Sequence, residues 1–240
     1  MRKVQLLAAG LLGLAATVAL AKDERYQATV WADIDVDASG HAASITFPGK
    51  VAGTAIADNL QRQIATWQFE PAKRNGEPVA ASTSLQVALD IDASGDQAKV
   101  TVADAIPSPR LVKNDPPRYP EDALRAKAGG VVWVEFVVGA DGSVSEISTA
   151  GTAPKVDKRL VKAAVDCATK WQFKPESVDG VPVATRAKTT VAFWIGNGRP
   201  PANLDKGAPL QRRSLDALSS DPVIAESHLR LKTEFGATRG

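Results

Sequence analysis

Cysteine occurs once in the 240 residues, methionine once, histidine twice and tyrosine twice. A single thiol cannot close an internal disulfide, and a tetrahedral metal site drawn from one cysteine and two histidines would need carboxylates to complete it. No metal or cofactor is therefore expected. Charge of one sign is lacking too: Lys plus Arg is 29 and Asp plus Glu is 27, and two of the positive charges, Arg2 and Lys3, fall in a leader discussed below. Without them the chain is neutral overall, with no counterion-release drive toward nucleic acid. No Gly-x-Ser-x-Gly or His-Glu-x-x-His segment exists. His41 follows a turn and His228 lies in the tail, so no catalytic constellation is expected, nor a small-molecule substrate. Asp33-x-Asp35-x-Asp37 starts like a calcium loop, but its sixth position is Ala38 and its twelfth is Ser44. Those carboxylates read instead as the solvent face of a strand.

What is present is enough apolar residue, 44%, to build a core, over a length that suits two small domains. Arg2 and Lys3 precede an apolar run from Leu6 to Ala21 that closes with Ala19-Leu20-Ala21. A charged start, an apolar run shorter than the ~20 residues that span a bilayer and a small-x-small ending make an export signal. Residues 1–21 are thus expected to be a cleaved signal peptide. Export would place the protein in the periplasm, an uncleaved inner-membrane anchor being the alternative. Cys167 would then sit unpaired in an oxidising compartment, where it must be shielded or pair with another chain.

A repeat governs the rest. Trp67-Gln68-Phe69-Glu70-Pro71 returns as Trp171-Gln172-Phe173-Lys174-Pro175, and Gly76 and Pro78-Val79-Ala80 return as Gly180 and Pro182-Val183-Ala184. Upstream, Val30-Trp31, Val36, Gly40 and Ile45 answer Val132-Trp133, Val138, Gly142 and Ile147. Each copy reads as a strand, a turn, a second strand, a helix and a last strand. Alternation over Val30 to Val36 and over Val131 to Val138 marks the first strand, with turns at Gly40 and at Asp141-Gly142. Ile56, Leu60, Ile64 and Trp67 answer Leu160, Ala164, Ala168 and Trp171 as one helix face. Leu85 to Ile91 answers Thr189 to Ile195 as the closing strand. The unit is ββαβ.

The copies differ at their openings. Asp115-Pro116-Pro117-Arg118-Tyr119-Pro120 leads into a short helix over Glu121 to Lys127 in the second copy, where the first has only Lys22 to Tyr26. Residues 106–118 are expected to be a Pro-rich linker and residues 198–240 a polar, partly disordered tail. Residues 22–105 carry 7 basic and 12 acidic side chains against 13 and 10 in 106–197, a contrast that would let the two copies attract one another. Trp67 and Trp171 close apolar stripes and read as core. Trp31 and Trp133 point to the other face of the first strand, either as an open platform or under a cover.

The second copy resembles the TonB/TolA C-terminal domain family. The matching residues are Pro117-Arg118-Tyr119-Pro120, Ala123-Leu124, Gly130-Val131-Val132, Phe136-Val137-Val138, Asp141-Gly142, Trp171-Gln172-Phe173-Lys174-Pro175 and Gly180-Val181-Pro182-Val183. The first copy, 22–105, resembles the same domain in a degraded form without the Tyr-Pro opening; the second is bounded at 119–197. The resemblance implies an α+β fold of two tandem modules, each a three-stranded antiparallel sheet under a helix. Tyr119, Pro120, Gly130, Gly142, Trp171, Phe173, Pro175 and Gly180 would be its structural residues.

The resemblance also implies a periplasmic module that binds a peptide segment of an outer-membrane receptor by β-strand addition, assisting transport across that membrane. The edge expected to accept the partner is the last strand: Arg186, Lys188, Thr189, Thr190, Val191, Ala192, Phe193, Trp194 and Ile195. The corresponding strand of the first copy runs into Asp92-Ala93-Ser94-Gly95 and then Lys99-Val100-Thr101-Val102, a return that would cap its own edge. In the second copy Gly196 to Pro201 breaks the chain, leaving the edge available unless the tail from Leu210 covers it. The apolar run lacks the membrane histidine, and the chain the long Pro-rich spacer, of an energised transducer. Binding is therefore the implied role. The alternative is a structural cell-envelope protein that holds peptidoglycan or another envelope protein.

Overall fold

A computed structural model describes residues 25–92, 99–114, 116–195, 213–214 and 223–235. The expected signal peptide and the Ala93-Ser94-Gly95 turn lie outside the described residues.

The first half opens with β1 (Arg25–Val36), β2 (Ala42–Thr46) and α1 (Ala55–Ile64). Thr54 caps α1 by accepting the Ala57 N–H on its hydroxyl at 3.3 Å, and the helix buries Leu60 and Ile64. After it come β3 (Phe69–Glu70), the hairpin β4 (Ala72–Arg74) and β5 (Glu77–Val79), the long β6 (Ala81–Asp92) and β7 (Lys99–Ser108). Strands β1 and β6 pair antiparallel from Arg25↔Asp92 to Val36↔Ala81, and β7 folds back on β6 from Asp92↔Lys99 to Ser84↔Ser108. The outer edge of β6 is thereby covered.

The second half opens with a strand and a short helix that the first half lacks. It runs β8 (Arg110–Lys113), α2 (Glu121–Arg125), β9 (Gly130–Val138), β10 (Val144–Ser148), α3 (Lys158–Ala168), β11 (Gln172–Lys174), β12 (Glu176–Val178), β13 (Val181–Val183) and β14 (Thr185–Phe193). Asp157 caps α3, and its hydrogen bonds with the Arg159 side chain and N–H hold its carboxyl down to about 2. Leu160, Ala164, Cys167 and Ala168 of α3 are buried with Val132, Val134, Phe136 and Val138 of β9 and Ala187, Val191 and Phe193 of β14. A second apolar cluster joins β1, α1 and β6 through Val30, Ile34, Leu60, Ile64, Leu85 and Leu89. Cys167 is shielded in the core beneath α3.

The architecture is α+β with mostly antiparallel sheets, but neither of the two larger sheets has three strands. One has seven, along the path β13-β12-β6-β1-β15 with β2 on β1 and β7 on β6, where β15 is Arg213–Ser214. Another has four, in the order β10-β9-β14-β16, where β16 is Ile224–Ala225, and β8-β11, β4-β5 and a tail strand on β3 form separate two-stranded ladders. Of the added strands, β7 takes in the Lys99–Val102 return and extends it to Ser108, while β15 and β16 come from the tail. Prolines at 107 and 109 occupy the end of β7 and the step into β8, where a lost ladder N–H is tolerated. Residues 106–113 are thus strand, not open linker. In the tail, Val223 and Leu229 are buried and β17 (Arg230–Leu231) pairs with β3. Residues 223–235 are therefore packed against the body of the protein.

The halves are joined. β12 pairs with β6 (Ser177↔Ser82, Val178↔Ala81), and Arg74 of β4 donates to the Val178 carbonyl at 2.8 Å. Asp33 of β1 accepts from Arg110 at 3.1 and 3.0 Å, from Ser84 at 2.5 Å and pairs with Lys174 at 3.0 Å. Burial works against its charge, yet these partners win and hold its carboxyl below the ordinary range. Asp33 is therefore an internal anchor, not part of a solvent face. Trp31 is 3% exposed and buried, so it offers no open platform. The Trp133 backbone exchanges hydrogen bonds with the Thr152 hydroxyl, which brings the 149–152 loop across it.

Candidate functional site

The Gly-Val-Val start of β9 and the alternation of β14 build the candidate edge. β14 pairs with β9 at every residue from Thr185↔Val138 to Phe193↔Gly130. Thr185, Ala187, Thr189, Val191 and Phe193 are buried, while Arg186 and Lys188 are exposed. Trp194 and Ile195 lie past the end of the strand with 38% and 49% of their surface exposed.

Which backbone groups face outward follows from one hydrogen bond. Glu226 donates its N–H to the Arg186 carbonyl at 2.8 Å. Successive residues of a strand aim their N–H and C=O to opposite sides. The backbone groups of Arg186, Lys188, Thr190 and Ala192 therefore face the outer edge, and those of Ala187, Thr189, Val191 and Phe193 face β9. Val191 belongs to the internal ladder, although a strand reading without register lets it serve either side.

The edge is occupied by the chain itself. β16 pairs antiparallel with β14, Ala187↔Ala225 and Lys188↔Ile224. Val223 enters the apolar cluster beneath α3, and Ile224 points outward with 41% exposed. The exception allowed for the tail is the observed state.

Behind the edge lies a polar cluster that no motif announces. Glu176, 2% exposed, accepts from Thr83 at 2.5 Å, from Thr185 at 2.9 Å, from the Ser227 hydroxyl, and from the His228 N–H at 3.3 Å. The His228 ring nitrogen Nδ1 lies 3.1 Å from the same carboxylate. A buried carboxylate with this many donors is satisfied in place. It ties β6, β14 and the tail together across sequence separations that leave no local signal.

The motif residues are distributed as supports around the edge. Tyr119 stacks edge-on against Phe193 at 5.5 Å and its hydroxyl donates to the Ala128 carbonyl, which pins the chain ahead of β9. Pro120 caps α2. A side chain on Gly130 would press on Val156 at 3.3 Å. Trp171 and Phe173 pack with Phe136 at 5.6 and 5.3 Å. Pro175 separates β11 from β12, and Gly180 takes a positive φ of 74° in the turn before β13. Among the described residues no group of three or more His, Cys, Asp or Glu could hold a metal ion, and no helix is long and apolar enough to cross a membrane.

Residues 115–195 match the family model of the Gram-negative bacterial TonB protein C-terminal. This stretch is similar to a TonB C-terminal domain. Two proteins named TonB share it: that of Xanthomonas campestris pv. campestris is 37% identical over 81 residues, 34% of this chain and 35% of the relative. That of Vibrio cholerae serotype O1 is 32% identical over 82 residues, 33% of this chain and 32% of the relative. The chain thus spans about a third of the length of the curated relatives it matches. A solution structure of the Pseudomonas aeruginosa TonB CTD is 28% identical, covering 38% of this chain and 90% of that one with a TM-score of 0.32. The matched stretch ends at the residues expected for the edge and contains all of β14.

Proposed function

We propose that this is an exported, periplasmic protein of the TonB family whose TonB C-terminal domain binds an extended segment of an envelope protein by strand addition at β14. An outer-membrane receptor segment is the partner class that the resemblance supports, with a role in transport across that membrane. One observation carries the reading: the outward backbone groups of Arg186 and Lys188 are already engaged by a two-residue strand, so this edge accepts added strands. β6, its counterpart in the first half, has its edge covered by β7 along most of its length. We read residues 22–105 as a degraded relative of the same unit that lacks an acceptor edge. Residues 1–21 are read as the export signal.

A photo-crosslinking residue at Lys188, in intact cells, tests the proposal. Crosslinks to a receptor segment, identified by mass spectrometry, are the expected result. Recovery of peptidoglycan fragments alone would overturn it in favour of the structural envelope protein.

A further inference from the structure

The tail repeats, at the first half, what β8 does at the second. β8 places Leu111 opposite Phe173 and Arg110 opposite Lys174. β17 places Leu231 opposite Phe69 and Arg230 opposite Glu70, in the same direction and on the equivalent strand. The slot beside β3 is filled by β17 of the tail. Further contacts hold it there. Lys232 donates its N–H to the Gln68 carbonyl at 2.9 Å, the Gln68 N–H donates to the Thr233 hydroxyl at 3.0 Å, and Phe235 packs edge-on against Trp67 at 4.9 Å. Leu229 is 2% exposed within the apolar cluster of the first half.

The same tail, a few residues earlier, lies on β14. Its two ends are held differently: β16 makes a two-residue ladder on Ala187 and Lys188, flanked by the Glu226 N–H on the Arg186 carbonyl and by the buried Val223, whose N–H donates to Gln86 at 3.2 Å, whereas residues 229–235 are held by a buried leucine, a ladder on β3 and an aromatic contact. Between them, Glu176 grips Ser227 and His228.

We propose that the first half serves to hold this strap, and that the strap is an internal competitor for the β14 edge which a partner must displace. The inference rests on the reading of β14 as the acceptor edge, and adds its regulation. A strap tethered at 229–235 presents Ile224-Ala225 to β14 at high effective concentration, so a partner must outcompete an intramolecular strand. The strap also shows what the edge accepts: an extended segment antiparallel to β14 with a buried apolar residue where Val223 stands and a small one where Ala225 packs. Loosening the strap at its first-half end, far from β14, raises the competent fraction and hence the apparent affinity.

The test uses the full chain and a capped synthetic peptide with the sequence of Val223 to Leu229 as the probe. Leu231→Asp and, as a milder variant, Phe235→Ala are expected to bind the probe roughly ten-fold or more tightly than the unaltered chain. Their Lys188 amide should lose exchange protection without probe and regain it with probe. A disulfide between Ala187→Cys and Ala225→Cys, in a Cys167→Ser background, should abolish probe binding until it is reduced. Equal affinity for the unaltered chain and both loosened variants would overturn the competitor role while leaving strand addition standing. If the Lys188 amide is released in the variants and no probe binds, the acceptor-edge reading fails, and the competitor role fails with it.

Discussion

Phe173 donates its N–H to the carbonyl of Gly142 at 2.9 Å, and its own carbonyl occupies the space that a side chain on Gly142 would need. The Asp-Gly turn of one hairpin is thus locked onto the strand that leaves α3. Gly40 and Phe69 make the same contact, with the same 2.9 Å bond, in the first half. Gly142 also holds a positive φ of 79°, so two constraints exclude a side chain.

Gly142→Ala should accordingly cost well over the about 1 kcal/mol of an ordinary glycine replacement. Gly180 is the control: its φ is 74° but nothing lies within 4 Å of an added Cβ, so Gly180→Ala should cost only the left-handed penalty of about 1–2 kcal/mol. Chemical denaturation of the two variants measures the difference.

Trp171→Ala and Trp31→Ala are both expected to lose roughly 3–5 kcal/mol, because both rings are buried. The face that each Trp takes in the sequence pattern would make Trp171→Ala the costlier of the two. Denaturation midpoints that agree within error would support the structural ranking.

Asp33 supplies a pH dependence. Its folded pKa lies below the ordinary 3.8, so its stabilisation is present above the unfolded value and is lost as pH falls through the folded value. Asp33→Asn should cost roughly 2 kcal/mol at neutral pH. It should also flatten the loss of stability below pH ~4 that the unaltered protein shows in acid titrations followed by circular dichroism.

Glu176→Ala leaves Thr83, Thr185 and Ser227 without their acceptor. Stability should fall by roughly 2–4 kcal/mol, and residues 223–235 should become the first site of protease cleavage. Mass mapping of limited digests reads this directly. Cleavage that begins in α3 instead would show that the carboxylate does not hold the tail.

Proline substitutions separate the two sides of β14. Lys188→Pro removes an outward N–H and should block strand addition while leaving the β9 pairing of its neighbours. Val191→Pro removes an inward one and should destabilise the fold by about 3 kcal/mol or more. Thermal melts and crosslinking yield, taken together, distinguish them.

Much of this was legible along the chain because it depends on neighbours. Alternation over Val131 to Val138, the stripe of Leu160, Ala164, Ala168 and Trp171, and the turn at Asp141-Gly142 are local patterns, and the structure places a strand, a helix and a turn there. The likeness of residues 115–195 to the TonB C-terminal domain rests on such patterns too. Tertiary structure alone decided what depends on segments distant in sequence. A short run such as Ile224-Ala225 carries no periodicity, and it becomes a strand only because β14 offers it a ladder. Glu176 reads as a surface carboxylate until Thr83, Thr185 and Ser227 converge on it. The side of β14 on which each N–H lies is fixed by register, a relation between two strands that neither sequence holds by itself.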